Sequence, residues 1–244
     1  MTAPFRSLLV LALPMAAALA GTQPTPAQAG APTARALALA PLPPPQADRL
    51  AFLACQQAAE RGDPEAQAKL ASRYYLGEGV AADLKTAVLW YRRAAEGGQA
   101  SAQTVMGMLN DEGEGVPSDP VQAAVWFRKA AEQGDVDAQA KLGQKYYLGD
   151  GVPRNLVEAH AWLSKAAQGG SPSAQGWLGL MYAVGEGVPR DPVEACTLLL
   201  LAQAGGNEQA AQAFQVLQGG LPPAQVEEAR QKAADAKRRQ PSSR

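Results

Sequence analysis

The sequence predicts an all-α solenoid of stacked helix pairs, and three observations carry that prediction. Gly-Glu-Gly-Val at Gly77 to Val80 returns at Gly113 to Val116, at Gly149 to Val152 with Asp150 in second place, and at Gly185 to Val188, always 36 residues on. A second string keeps the same interval: Gly62, Gly98, Gly134 and Gly170 each stand four residues before an Ala-Gln pair, and Gly206 stands four before Ala210-Ala211. Ala and Gly dominate, aromatics make up 6% of the chain, and β-branched residues are scarce, which suits close-packed helices and disfavours sheets. Fixed self-similarity at this period is the signature of units that bury a core only by stacking. Four whole units follow, at 62–97, 98–133, 134–169 and 170–205, with partial units at both ends.

The first residues read as a signal peptide at 1–29. Met1 to Arg6 carries one basic residue, Ser7 to Ala20 is apolar, and Ala-x-Ala sites end at Ala20 and Ala29, the second being the favoured cleavage point. The apolar run is interrupted by Pro14 and is shorter than the roughly 18 residues that span a bilayer. No cysteine precedes Cys55, so a lipid-modified anchor is not expected, and the mature chain is expected in the periplasm or the secreted fraction. The stretch 30–48, with Pro32, Pro41 and Pro43 to Pro45, has no apolar periodicity and reads as a proline-rich disordered linker. Residues 50–61 then read as a lone helix that covers the first unit, because Ala58-Ala59-Glu60 matches Ala94-Ala95-Glu96.

Each unit divides into a helix A and a helix B. Asp63-Pro64 and Ser171-Pro172 place a capping side chain before a proline, whose missing amide is harmless at the first helical position. Gly77 closes helix A in the left-handed conformation. Helix B starts at Asp83, Asp119, Asn155 and Asp191, with Gln122, Glu158 and Glu194 three residues after the cap, in the pattern of a capping box. On helix A, Ala66, Leu70 and Tyr74, echoed by Ala138, Leu142 and Tyr146 and by Ala174, Leu178 and Tyr182, share one face at intervals of four, which marks the core side. Small residues follow each leucine position (Ala71, Gly107, Gly143, Gly179), so the neighbouring helix is expected to approach closely there. Helix B carries Trp90-Tyr91, Trp126-Phe127 and Trp162-Leu163 between alanines, and the tryptophans are expected in the core, not on a sugar-stacking surface. After the fourth unit, 206–240 reads as a partial repeat with Phe214 and Leu217 inward, followed by a charged capping helix from Pro222-Pro223.

The Ala-Gln opening, Leu-Gly-x-x-Tyr, Gly-x-Gly-Val, the Asp cap, Ala-x-x-Trp and Ala-Ala-x-x-Gly together make Gly62 to Gly205 resemble the Sel-one-like repeat family, relatives of tetratricopeptide repeats. Ala81, Asn110 and Leu198 are local departures from that pattern. The resemblance implies a right-handed α/α superhelical solenoid of antiparallel helix pairs. It also implies a non-enzymatic adaptor that binds proteins or peptides, in secreted bacterial members often in envelope assembly or host contact. By analogy with tetratricopeptide units, the concave groove would be lined by Ser72, Tyr75 and Leu76; Met108, Asp111 and Glu112; Gln144, Tyr147 and Leu148; and Leu180 and Val184. Tyrosines beside acids there would suit an extended or helical peptide with apolar anchors and some basic residues. The alternative is that these faces carry no ligand.

Other chemistry finds little support in the residues. With 22 Lys plus Arg against 23 Asp plus Glu, the chain lacks the basic excess of a nucleic-acid binder. Cys55 and Cys196, four units apart, are expected to be too distant to pair and to act as small buried apolar groups. His160, the single histidine, occupies the repeat position of Cys196 one unit earlier, beyond hydrogen-bond reach, and no metal or other cofactor is expected. Cysteine-rich relatives are reported to bind or hydrolyse β-lactams, so a β-lactam-binding or cell-wall-modifying enzyme is the competing reading. The regular paired cysteines of that type and a Ser-x-x-Lys nucleophile are both missing from this sequence. The fourth unit is anomalous: Leu200 and Leu201 replace Arg92-Arg93, Arg128-Lys129 and Ser164-Lys165, and Trp177 and Met181 make its helix A unusually apolar. Such a surface is expected to be covered, either by the C-terminal helix or by a second molecule.

Overall fold

The computed structural model describes residues 46–239, so the expected signal peptide and nearly all of the expected linker lie outside the described residues. Eleven helices and no strands occur among the described residues. They are α1 (Gln46–Glu60), α2 (Pro64–Leu76), α3 (Leu84–Glu96), α4 (Ala100–Glu112), α5 (Pro120–Glu132), α6 (Val136–Leu148), α7 (Leu156–Gln168), α8 (Pro172–Val184), α9 (Pro192–Ala204), α10 (Glu208–Gln218) and α11 (Pro223–Arg239). One compact unit holds α1 to α5 and a second holds α6 to α11. In both, the helices pack chiefly on their neighbours in sequence, the contact pattern of a repeat solenoid, except that α11 packs on α9. The first helix starts at Gln46, so it begins inside the stretch expected to be linker.

Helix starts and stops follow from local chemistry. The Asp63 carboxylate accepts from the Glu65 amide at 3.0 Å, and Gln99 and Ser171 cap α4 and α8. Gly77 ends α2 at φ 76°, where a Cβ would clash with the backbone, and the Gly77 and Glu78 amides both donate to the Arg73 carbonyl. Asp83, Asp119, Asn155 and Asp191 each accept two amides at the start of a helix B. The other half of the expected capping box is not formed. The cap amides of Asp119, Asn155 and Asp191 donate instead to the carbonyls of Asn110, Tyr146 and Tyr182, nine residues back in helix A, at 2.7, 2.9 and 3.0 Å. This bond clamps helix B to the end of helix A, and it frees the Glu158 carboxylate to accept from Trp162 Nε1 at 3.1 Å.

Packing within a pair turns on the small residue after each core leucine position. A Cβ placed on Gly107 would lie 2.6 Å from the Phe127 ring, and on Gly143 2.7 Å from Leu163 Cγ. On Gly179 it would meet Leu199 Cγ at 2.8 Å. The bulky residue that fills each gap is thus the one after the tryptophan position. Trp90, Trp126 and Trp162 themselves are only half-buried, a correction to their expected core role. Arg93, Lys129 and Lys165, one helical turn on, lie 4.6, 4.4 and 4.2 Å from the respective ring centroids, so a cation covers the outer face of each indole.

Packing between pairs uses two further repeat residues. The glutamine of each Ala-Gln pair is buried, and the side-chain amides of Gln67, Gln103 and Gln175 donate to the carbonyls of Ala59, Ala95 and Ala167 at 3.2, 3.0 and 3.4 Å. Each of these carbonyls also accepts a backbone amide three residues on, from Gly62, Gly98 and Gly170, so the glutamine is a second donor that ties the next helix pair to the end of the preceding helix. The second glycine of the Gly-x-Gly-Val loop seats against the preceding pair: a Cβ on Gly115 would meet Val88 at 2.9 Å, and one on Gly187 would meet Leu156 at 2.6 Å.

At the C-terminal end, α11 packs on α9, placing Val226 and Ala229 in one cluster with Cys196, Leu199, Phe214 and Leu217. Thr197 Oγ1 donates to the Val193 carbonyl at 2.8 Å and lies 3.4 Å from the Ala229 carbonyl, and Leu200 is half-buried against the same cluster. Leu201 is half-buried, and Trp177 and Met181 are fully buried, so none of the four apolar residues of this unit stands open to solvent. Burial under α11 pushes the Glu194 carboxyl above the usual carboxylate range; Asp191 adds to the shift and Lys232 opposes it. A raised folded-state pKa means the folded chain holds this proton more tightly than the unfolded chain does, so ionisation costs stability as pH rises through the folded value. Glu194→Gln is therefore expected to raise Tm at neutral pH and to give no gain below the ordinary carboxylate range. Thermal melts at pH 3.5 and 7.5 check the sign.

Candidate functional site

The residues expected to line a groove do not share one environment. In the α1–α5 unit, Ser72 is half-buried and lines an open pocket of about 460 Å³ between α2 and α4, together with Glu65, Ala68, Lys69, Tyr91, Gln99, Ser101 and Val105. A smaller pocket of about 250 Å³ adjoins it through Lys69 and Ser72 and reaches Cys55, Arg73 and Glu78. The floor is apolar, from Ala68 and Val105. The rim is polar: Lys69 Nζ pairs with Glu65 at 2.6 Å, and the Gln99 side chain accepts from Ser101 at 2.9 Å. Tyr91 stands at the base beside Ser72, and burial raises its phenol pKa, with Ser72 opposing the shift.

Tyr75 and Tyr147 have a different role from the one expected. Tyr75 is 42% exposed, and its hydroxyl donates to Glu114 of the next repeat's glycine loop at 3.0 Å. That carboxylate is the first cause of its raised pKa. Tyr147 occupies the same repeat position and is a correction to the groove assignment: only 7% exposed, its ring lies 5.1 Å from that of Trp177. Burial, then the nearby Glu186 carboxylate, pushes its phenol well above the ordinary tyrosine value. Arg154 completes the cluster, bonding Glu186 at 2.9 Å and the Tyr147 carbonyl at 2.9 Å. Both tyrosines thus stand beside the carboxylate of the next repeat's glycine loop, and at Tyr75 the phenol is hydrogen-bonded to it. A signal was present in the sequence, since an acid stands 39 residues after each: Glu114 and Glu186.

The remaining expected groove residues divide likewise. Met108, Asp111, Gln144 and Val184 are half-buried, whereas Leu76, Glu112 and Leu148 are exposed. Leu180 is buried, a second correction. The cause is the apolar helix A of the fourth repeat: Trp177 and Leu180 stand at the repeat positions of Lys69 and Ser72, and they fill in the second unit the place that is an open pocket in the first. The pocket's other members, Ala68, Gln99, Ser101 and Val105, were not singled out from the sequence, because exposure beside the core stripe has no periodicity of its own.

Neither thiol is arranged for nucleophilic chemistry. Cys196 is fully buried, and burial pushes its pKa up to about 11, which leaves almost no thiolate at neutral pH. Cys55 is half-buried, more open than expected, and its Sγ contacts the Ala66 carbonyl at 3.5 Å. His160 Nε2 lies 3.3 Å from the Tyr182 hydroxyl, with the two rings edge to face. Among the described residues no group of three or more His, Cys, Asp or Glu is placed to hold a metal, and no helix is long and apolar enough to cross a membrane.

This architecture has known counterparts. The Sel1 repeat matches residues 64–99, 100–135, 136–171 and 172–207. A protective antigen of uropathogenic Escherichia coli strains with an SLR fold is 36% identical at a TM-score of 0.66, over 76% of this chain and 41% of its own. The present chain thus spans about two fifths of that protein's length. A Sel1 repeat protein from Oxalobacter formigenes is 33% identical at a TM-score of 0.65, over 79% of this chain and 80% of its own. No curated protein matches the sequence. Proteins built from these repeats are typically interaction modules and generally non-catalytic scaffolds. Four matched repeats, with the helix pairs and loop glycines that define them in place, mean that the chain belongs to the Sel1 repeat family.

Proposed function

We propose that the chain is an exported interaction module of the bacterial envelope or secreted fraction, and that it holds a peptide segment of a partner protein in the α2–α4 pocket. The observation that carries this reading is the pocket itself, an apolar floor of Ala68 and Val105 rimmed by Ser72, Gln99, Ser101, Glu65 and Lys69. Such a lining suits a small apolar anchor, with hydroxyl and amide groups at hand for the peptide backbone. Export is supported by the apolar run Ser7 to Ala20 and the small-residue sites at Ala20 and Ala29. That one similar protein is a protective antigen agrees with an exported chain.

The test is affinity capture from the envelope fraction with the wild-type protein and with Ser101→Arg plus Val105→Arg, which places two long side chains in the pocket mouth. Partners held by the pocket should fall by about tenfold or more in the variant, with Tm unchanged. Equal capture by both proteins overturns the pocket reading. Export is checked separately by sequencing the mature N-terminus, which should follow Ala29 or Ala20; an intact Met1 start overturns that part.

A further inference from the structure

In the fourth repeat, α11 lies on the outer side of helix B, over Val193, Glu194, Thr197 and Leu200. The same repeat positions in the first unit are Lys85, Thr86, Leu89 and Arg92 on α3, and Val121, Gln122, Val125 and Arg128 on α5. Here the apolar members stand in solvent: Leu89 is 61% exposed, Val121 57% and Val125 40%. Both helices pack on α4, and Trp126 of α5 joins the cluster that holds Val88 and Tyr91 of α3 together with Met106 and Leu109 of α4. The chain therefore shows, at one repeat, what covers an apolar strip at these positions: a helix whose contact face is made of Val226, Ala229 and Ala233. Its small side chains let the helix axis come close.

From this correspondence we infer that the outer face of α3 and α5, centred on Leu89, Val121 and Val125, is a second docking surface, separate from the α2–α4 pocket. Its occupant is an amphipathic α-helix of a partner protein, with a Val/Ala stripe spaced as in α11 and acidic flanks. The acidic requirement comes from the border of the strip. Lys85, Arg92, Arg93 and Lys129 are exposed around it, while the acids stand at the helix ends, with Asp83 and Asp119 engaged as N-caps and Glu96 and Glu132 at the last residues. In the fourth repeat those basic positions are Val193, Leu200 and Leu201, so α11 itself, whose last turn carries Lys237, Arg238 and Arg239, meets no such border. Apolar contact along the stripe supplies the attraction, and the basic rim selects the sign of the flanks.

The test uses a fluorescein-labelled probe peptide of 17 residues, the length of α11, keeping its Val, Ala and Ala spacing and carrying Glu at the flanking positions. Fluorescence anisotropy against the full chain should show saturable binding that weakens as salt is raised. Leu89→Glu with Val125→Glu should weaken it by about tenfold or more, and the milder Leu89→Ser with Val125→Ser should weaken it in the same direction. Neither pair should move Tm, because both positions are exposed. Ser101→Arg in the pocket should leave probe binding unchanged, which keeps this surface distinguishable from the pocket. Absence of saturable binding overturns the inference, as does binding insensitive to both outer-face pairs, or binding abolished by Ser101→Arg.

Discussion

Trp177→Ala is expected to lower unfolding stability by about 3–5 kcal/mol, the cost of emptying a large aromatic site that the surroundings cannot refill. The indole is fully buried, and it is braced by Tyr147, whose carbonyl accepts from Arg154, which in turn pairs with Glu186. Collapse into the space would break those bonds. Trp177→Phe is the informative companion. The Trp177 Nε1 is buried and has no hydrogen-bond partner, and a desolvated, unpaired donor of this kind costs about 1–3 kcal/mol. Phenylalanine loses packing area but removes that penalty, so its net loss should stay below about 1.5 kcal/mol. Urea titrations followed by far-UV circular dichroism separate the two. A Trp177→Ala loss under about 1 kcal/mol would mean that the indole is not part of a packed core.

Gly143→Ala should be destabilising by about 1–3 kcal/mol, against the usual rule. In an exposed helix interior that exchange stabilises by about 1 kcal/mol, because alanine restricts the unfolded chain and glycine does not. Here the new methyl would sit 2.7 Å from Leu163 Cγ and 3.0 Å from the Leu163 backbone nitrogen. A side chain can rotate away, but the backbone of α7 cannot without moving the helix. Gly107→Ala should be milder, because the atoms it meets belong to the Phe127 ring alone. The first repeat shows the adjusted arrangement, with Ala71 facing a slightly more exposed Tyr91. Equal melting temperatures for Gly143→Ala and wild type would show that the pair is loosely packed.

Most of the fold was legible because the repeat multiplies each weak local signal by four. One Asp before a helix is common, but Asp83, Asp119, Asn155 and Asp191 in register identify a boundary, and all four do cap. What stayed illegible depends on partners distant in sequence. The Glu158 and Glu194 spacing suggested capping boxes, yet the cap amides were already committed to helix A carbonyls, a competition that no local pattern displays. The burial of Tyr147 stayed hidden for the same reason. A tyrosine flanking the core stripe reads as a surface group until the acid of the next glycine loop, or a neighbouring indole such as Trp177, is placed beside it. Variation between repeats marked Tyr147 and Leu180 as recognition residues, whereas their variation reflects a different way of filling space.

The buried glutamines bear on how such a chain assembles. Gln67 reaches a carbonyl only eight residues back, and Tyr75 reaches a carboxylate 39 residues ahead, so within each compact unit the bonds described here span about one repeat. Contact order is therefore low, and closing the necessary loops costs little entropy. Within a unit, each finished pair presents a carbonyl that can take a glutamine amide as a second donor, and a glycine-sized seat, which together form a template for the pair that follows. An N-terminal segment emerging first from a ribosome or a translocation channel can thus begin to fold before the rest arrives, with α1 as the first template surface and growth proceeding one pair at a time.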